Sequence, residues 1–247
     1  MTDSSNVLPP VAPFPDDFGR VLCVVAHPDD IEYGLSAAVA AWTAAGKVVT
    51  YFLLTRGEAG INTMSPQEAA PLREAEERAS AAVVGVGDVD FGTHRDGVVE
   101  YGVELRRDIA REIRRRTPDV VITGTYDDRF GGGMVNQADH RAVGLATLDA
   151  AADAGNRWIF PELITEGFEP WSVRYLGFVG SARPTHFVDV TATFSRAVAS
   201  LEEHAAYNAA LPEAFPKPPQ LLEMILGGGG QFAGCDKALL LDVISRG

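Results

Sequence analysis

Val21-Leu22-Cys23-Val24-Val25-Ala26-His27-Pro28-Asp29-Asp30 is the stretch on which the fold turns. Its first six residues are apolar and rich in β-branched side chains on both faces, which suits a central strand of a parallel sheet better than a half-exposed one. Its last four crowd three ionisable groups, His27, Asp29 and Asp30, at the carboxyl end of that strand. Open α/β sheets hold ligands at that end.

Reading outward, small residues with Trp42 predict a helix over Ile31 to Ala45, closed at Gly46, and a second buried strand follows over Val48 to Leu54. Ser65, with proline next in the chain, opens a predicted helix that runs to Val84. Val89 to Phe91 reads as a short strand. Leu105, Ile109 and Ile113 recur every fourth residue in a helix over Val103 to Arg116, which Thr117 and Pro118 stop. Val120 to Thr123 is a further apolar strand, and Asp139 to Ala154 a further helix. Beyond Asn156 the pattern loosens: strands over Tyr175 to Val179 and Phe187 to Val190, a helix over Thr193 to Tyr207, and a loop around Gly227 to Gly230.

Such βα alternation implies an α/β fold, a Rossmann-like three-layer sandwich with a mostly parallel central sheet and right-handed crossovers. In a doubly wound order the first and fourth of these strands lie side by side, so the loop after Thr123 faces the loop after Ala26. The expected organisation is an N-terminal arm over residues 1–19, one domain over 20–207, and a C-terminal extension over 208–247 that serves as lid or interface, packed on the same domain. No internal repeat is present.

Composition narrows the function. Across 247 residues, 21 Lys and Arg stand against 34 Asp and Glu, a net charge of −13 that argues against a nucleic-acid partner held through phosphates. Two cysteines give neither a disulfide framework nor a zinc or redox pair. The acidic, proline-rich start lacks the basic flank and apolar core of a signal peptide, no stretch reads as a membrane span, and a cytoplasmic homo-oligomer is expected. The glycines of a dinucleotide-binding turn are missing after the first strand.

The loop after the fourth strand leads into Asn136-Gln137-Ala138-Asp139-His140. His27, Asp30 and His140 can therefore converge as two imidazoles and a carboxylate, a hydrolytic ligand set that leaves a zinc position open for water of pKa about 7. Asp29 would then project into the same cavity as a general base. Plainer readings stand beside this one: Asp29 and Asp30 as caps of the following helix, Asp139-His140 as a cap and a surface histidine.

These residues resemble those of the LmbE-like, or PIG-L, family of metal-dependent N-deacetylases. Its opening AHPDD motif stands here as Ala26 to Asp30, followed by Glu32 and Gly34, by Leu54-Thr55-Arg56-Gly57-Glu58-Ala59-Gly60, and by Asp139-His140-Arg141. The resemblance implies zinc, or another divalent metal such as Fe2+, held by His27, Asp30 and His140. It implies Asp29 as the base that activates water against an acetamide, and an N-acetylglucosamine-type conjugate as the small-molecule substrate. Arg56 and Asp96 fall where the family contacts sugar hydroxyls; the alternatives are a surface ion pair and an ordinary turn. Gln137 stands where the family usually has a histidine, and is counted with the substrate contacts because an amide donates a hydrogen bond but delivers no proton. Asp139 is expected to orient a neighbouring group. His204, on the late helix, falls where family members often carry a histidine near the site. Two other functions fit the motif, an amidase releasing a larger acyl group from an amino sugar and a non-catalytic sugar-binding homologue.

Overall fold

Strand β2 (Arg20–Val25) lies between β3 (Val48–Leu53) and β5 (Val120–Gly124), parallel to both. This is the expected juxtaposition of the first and fourth buried strands. In the computed structural model, which describes residues 10–246, these strands belong to one sheet with β1 (Ala12–Pro13), β4 (Val89–Phe91), β6 (Tyr175–Val179), β7 (His186–Asp189) and β8 (Ala238–Ser245), in the order β1-β7-β8-β6-β5-β2-β3-β4. The two faces of β2 are buried alike. Val21, Cys23 and Val25 pack into one apolar layer and Leu22, Val24 and Ala26 into the other, as a period of two requires.

Helices close both layers. On the first face lie α1 (Leu35–Ala44) and the end of α2 (Pro66–Val83); on the second, α3 (Val103–Arg116), α4 (Ala138–Ala154) and the short α5 (Glu162–Thr165). α3 turns Leu105, Ile109 and Ile113 inward, all three fully buried. Ser65 caps α2 in a reciprocal box with Glu68, whose carboxylate accepts the Ser65 amide at 3.1 Å.

Several elements differ from the sequence expectation. Residues 31–34 form turns rather than the first turn of α1, because Gly34 sits at φ 126°, outside helical space. The late helix is split into α6 (Phe194–Glu202) and α7 (Ala205–Ala210), with His204 between them. After α8 (Pro218–Leu222), the glycine run is helical: a π turn over Glu223–Gly227 passes into α9 (Gly228–Ala233). A Cβ on Gly229 or Gly230 would collide with the carbonyls of Ala238 and Asp236, so glycine lets this helix lie directly on the chain leading into β8.

β8 enters the sheet between β6 and β7, antiparallel to both. The segment beyond residue 207 thus contributes a strand to the sheet. At the other end, residues 1–9 of the expected arm lie outside the described residues; Ala12 and Pro13 pair with β7, while Phe14 and Phe18 pack against Trp42. Among the described residues no helix is long and apolar enough to cross a membrane.

Candidate metal centre

Leaving β2, the chain turns sharply at its carboxyl end. The Asp30 carboxylate folds back over the strand, where Oδ2 accepts the amides of Ala26 at 3.1 Å and His27 at 2.9 Å. Asp29 takes φ 90°, a left-handed conformation rare for any residue but glycine. That kink separates the directions of two adjacent aspartates.

Across the β2–β5 junction, the loop after β5 delivers His140 on the first turn of α4. His140 Nε2 lies 2.9 Å from Asp30 Oδ1 and 3.2 Å from His27 Nδ1, and His27 Nδ1 lies 3.5 Å from Asp30 Oδ2. The opposite nitrogens fix the tautomers. His27 Nε2 faces the carboxylates of Asp96 at 3.1 Å and Asp139 at 3.2 Å, so it carries a proton. His140 Nδ1 lies 3.0 Å from Asn136 Oδ1, and that oxygen is the acceptor because Asn136 Nδ2 donates to the carbonyls of Thr125 and Asp127. In the neutral rings the lone pairs of His27 Nδ1 and His140 Nε2 are therefore left facing one another beside Asp30.

Two lone pairs and a carboxylate at such separations repel unless a cation or a proton sits among them. They suit a divalent ion with ligands about 2.0–2.2 Å away. The electrostatics agree: although burial works against it, Asp30, then the bonds to Asp139, Asp30 and Asp96, push His27 well above its ordinary pKa. Burial likewise opposes ionised Asp30, yet His140 and His27 hold its carboxyl well below the usual range.

Asp29 stands outside this trio. Its Oδ1 accepts from Arg73 Nη2 at 2.7 Å, both side chains being buried, and the same nitrogen donates to the Pro28 carbonyl. The Arg73 guanidinium in turn stacks over the Tyr207 ring, 3.8 Å from its centre. Burial raises the Asp29 pKa, and Arg73 opposes the rise.

The other sequence candidates spread around this centre. Asp96 faces His27 through Oδ1 and accepts the Ala59 amide at 2.7 Å through Oδ2. Asp139 also contacts His27, and accepts the amides of Gly97 and Val99. Arg56 is half-exposed and pairs with Glu74; with Glu58 and Gln67 it lines an open cavity of about 450 Å3. Gln137 is exposed at the start of α4, and among the described residues its side chain makes no capping hydrogen bond. His204 is fully buried beside Glu32 and Glu77, whereas His94 pairs with Asp108.

Sequence reasoning gave no role to Arg73 or Asn136. The former left a legible trace: Arg73, Glu77 and Ser80 follow at steps of four and three along α2 and are all buried, a polar stripe at helical spacing. Nothing local distinguished Asn136 from any other loop amide.

Comparison with known proteins adds a second line of observation. The family model described as PIG-L, GlcNAc-PI de-N-acetylase, matches residues 22–151. The diacetylchitobiose deacetylase of Thermococcus kodakarensis is 32% identical over 181 residues, 71% of this chain and 65% of that protein. A protein of Bacillus anthracis named as a probable N-acetyl-alpha-D-glucosaminyl L-malate deacetylase 2 is 32% identical over 140 residues, 54% of this chain and 59% of that one. The chain thus spans less than two thirds of the length of each. The solved structure of N,N'-diacetylchitobiose deacetylase from Pyrococcus horikoshii superposes with a TM-score of 0.83 at 23% identity, covering 93% of this chain and 85% of that one, which establishes the shared fold. With the family model matching more than half of its length, this chain belongs to the PIG-L family.

Proposed function

We propose that the protein is a zinc-dependent hydrolase that removes the N-acetyl group from an N-acetylglucosamine-type amino-sugar conjugate. The observation that carries this reading is a preset trio of two imidazole lone pairs and a carboxylate with a second, buried carboxylate beside it. The names of the relatives described above support the substrate class. His27 Nδ1, Asp30 and His140 Nε2 would hold the cation. When bound, zinc supplies Lewis acidity toward the amide carbonyl and lowers the pKa of water.

The chain's own groups do the rest. Asp29 accepts the proton released as water attacks the amide carbon, and returns it to the nitrogen when the C–N bond breaks, giving acetate and a free amine. Burial favours Asp29 with the proton and Arg73 favours it without, so the group can serve in both directions. Gln137 donates a hydrogen bond to substrate or to the developing oxyanion but leaves the proton to Asp29. Asp96 and Asp139 hold the His27 ring in its tautomer. Arg56, on the rim of the neighbouring cavity, meets the remainder of the conjugate.

An assay of acetate and amine formation over N-acetyl amino sugars, including N,N'-diacetylchitobiose, tests this reading. Acetate and amine in equal amounts are expected. No hydrolysis across the panel by zinc-loaded protein, with turnover only of amino sugars carrying a larger N-acyl group, would overturn it.

A further inference from the structure

Behind the Asp29 turn is a set of buried polar groups that the reaction above leaves unused. Glu32, Glu77 and His204 have no exposed surface and come from three places: the turn after β2, the middle of α2, and the break between α6 and α7. His204 Nε2 lies 3.5 Å from Glu32 Oε2 and 3.7 Å from Glu77 Oε2. Glu32 Oε1 accepts from Ser80 Oγ at 2.8 Å, and Ser80 Oγ meets Ser200 Oγ at 2.7 Å. Glu32 Oε2, Glu77 Oε1 and both ring nitrogens of His204 make no hydrogen bond among the described residues. Groups left in that state in a native interior call for an explanation.

One bond leads from this set to the catalytic loop: the Asp29 amide donates to Glu77 Oε2 at 3.2 Å. Asp29 is the residue held at φ 90°. A side chain seldom tolerates that backbone unless its surroundings over-determine it. Arg73 grips the Asp29 side chain and the Pro28 carbonyl from one side, while Glu77, four residues along the same helix, takes the amide.

We infer that Glu77 is a positioning residue for Asp29, and that His204, 3.7 Å from the Glu77 carboxylate at the break between α6 and α7, backs it by packing. His204 lies outside residues 22–151, so the helix break in the second half of the chain belongs to the machinery of the motif in the first. The inference rests on the proposed role of Asp29. Burial and then the Glu32 carboxylate raise Glu77 well above the ordinary carboxyl range, and its protonated form still presents Oε2 as an acceptor. An amide presents the same oxygen, so glutamine is the conservative replacement.

The test uses zinc-loaded full-length protein and the variants Glu77→Ala, Glu77→Gln and His204→Gln, with kcat, KM, zinc content and thermal midpoint measured on each. Glu77→Ala is expected to lose kcat by about 10²-fold, the scale of a misplaced catalytic group, at unchanged KM and zinc content. Glu77→Gln should recover kcat to within about tenfold of wild type, with His204→Gln between the two. Wild-type kcat in folded Glu77→Ala, or equal losses in Ala and Gln, would overturn the inference. A second equivalent of zinc in wild type that is lost in Glu77→Gln would also overturn it, by making the cluster a metal site. Amide exchange at residue 29 of the wild-type protein decides the bond even if Glu77→Ala does not fold or no acetate is released by any variant. Slow exchange is expected, and free exchange would contradict the bond.

Discussion

His27 meets Asp139 through Nε2 at 3.2 Å, the ring atom opposite the one that faces His140. Asp139 is itself held by the amides of Gly97 at 2.7 Å and Val99 at 3.1 Å, so the acceptor is fixed before any ligand arrives. Asp139→Asn puts an N–H2 group either at Oδ2, against the His27 ring and the Gly97 amide, or at Oδ1, against the Val99 amide. Zinc affinity should fall about 10- to 100-fold, the usual scale for a partner of a metal-binding histidine. Competition against a chelator checks this, and unaltered affinity would remove Asp139 from that role.

Asp29 is gripped by Arg73 and stands outside the ligand trio. Asp29→Asn should therefore retain its zinc and lose about 10²- to 10⁴-fold in turnover. Zinc analysis alongside initial rates separates the two effects; full activity in the loaded variant would show that the proton goes elsewhere.

α4 brings His140 into the centre because Gly144, one turn later, lets the helix approach the end of β5. A Cβ at residue 144 would lie 2.5 Å from the Gly124 carbonyl oxygen and 3.2 Å from the Tyr126 amide nitrogen, neither of which can swing aside. Gly144→Ala should cost about 1–3 kcal/mol in denaturant unfolding and weaken zinc binding as well. A stability loss with unchanged zinc affinity would mean that the helix moves without carrying His140 away.

Asp119 ties the start of β2 to the loop before β5, its Oδ2 accepting the amides of Gly19 at 2.8 Å and Arg20 at 2.9 Å. Burial works against the charge, but these bonds hold its pKa below the ordinary value. A depressed folded-state pKa contributes stability above the unfolded value of about 4 that is lost as pH falls through the folded value. Asp119→Ala should cost about 1 kcal/mol at neutral pH, since the carboxylate is partly exposed, and the gap from wild type should narrow below about pH 4. Unfolding curves at several pH values measure that gap; one that widened in acid would contradict the assignment.

Much of this architecture was written in short-range patterns. The helix over Val103 to Arg116 is readable because Leu105, Ile109 and Ile113 mark one face while arginines fill the others. The meeting of His27 with His140 follows from two apolar strands ending in histidine-bearing loops, once the α/β order puts those strands together. What escaped was set by distant contact. The need for glycine at 229 and 230 comes from the close approach of the Ala238 and Asp236 carbonyls, and β8 enters the sheet from the far end of the chain. The split at His204 follows burial beside two glutamates from other elements, which no local periodicity encodes.

Titration of chelator-stripped protein with zinc tests most directly whether residues more than 100 positions apart make one centre. Wild type should take up one equivalent at high affinity, and His27→Ala and His140→Ala, compared as folded proteins, should each abolish that uptake. High-affinity binding that survives in either variant would contradict the account.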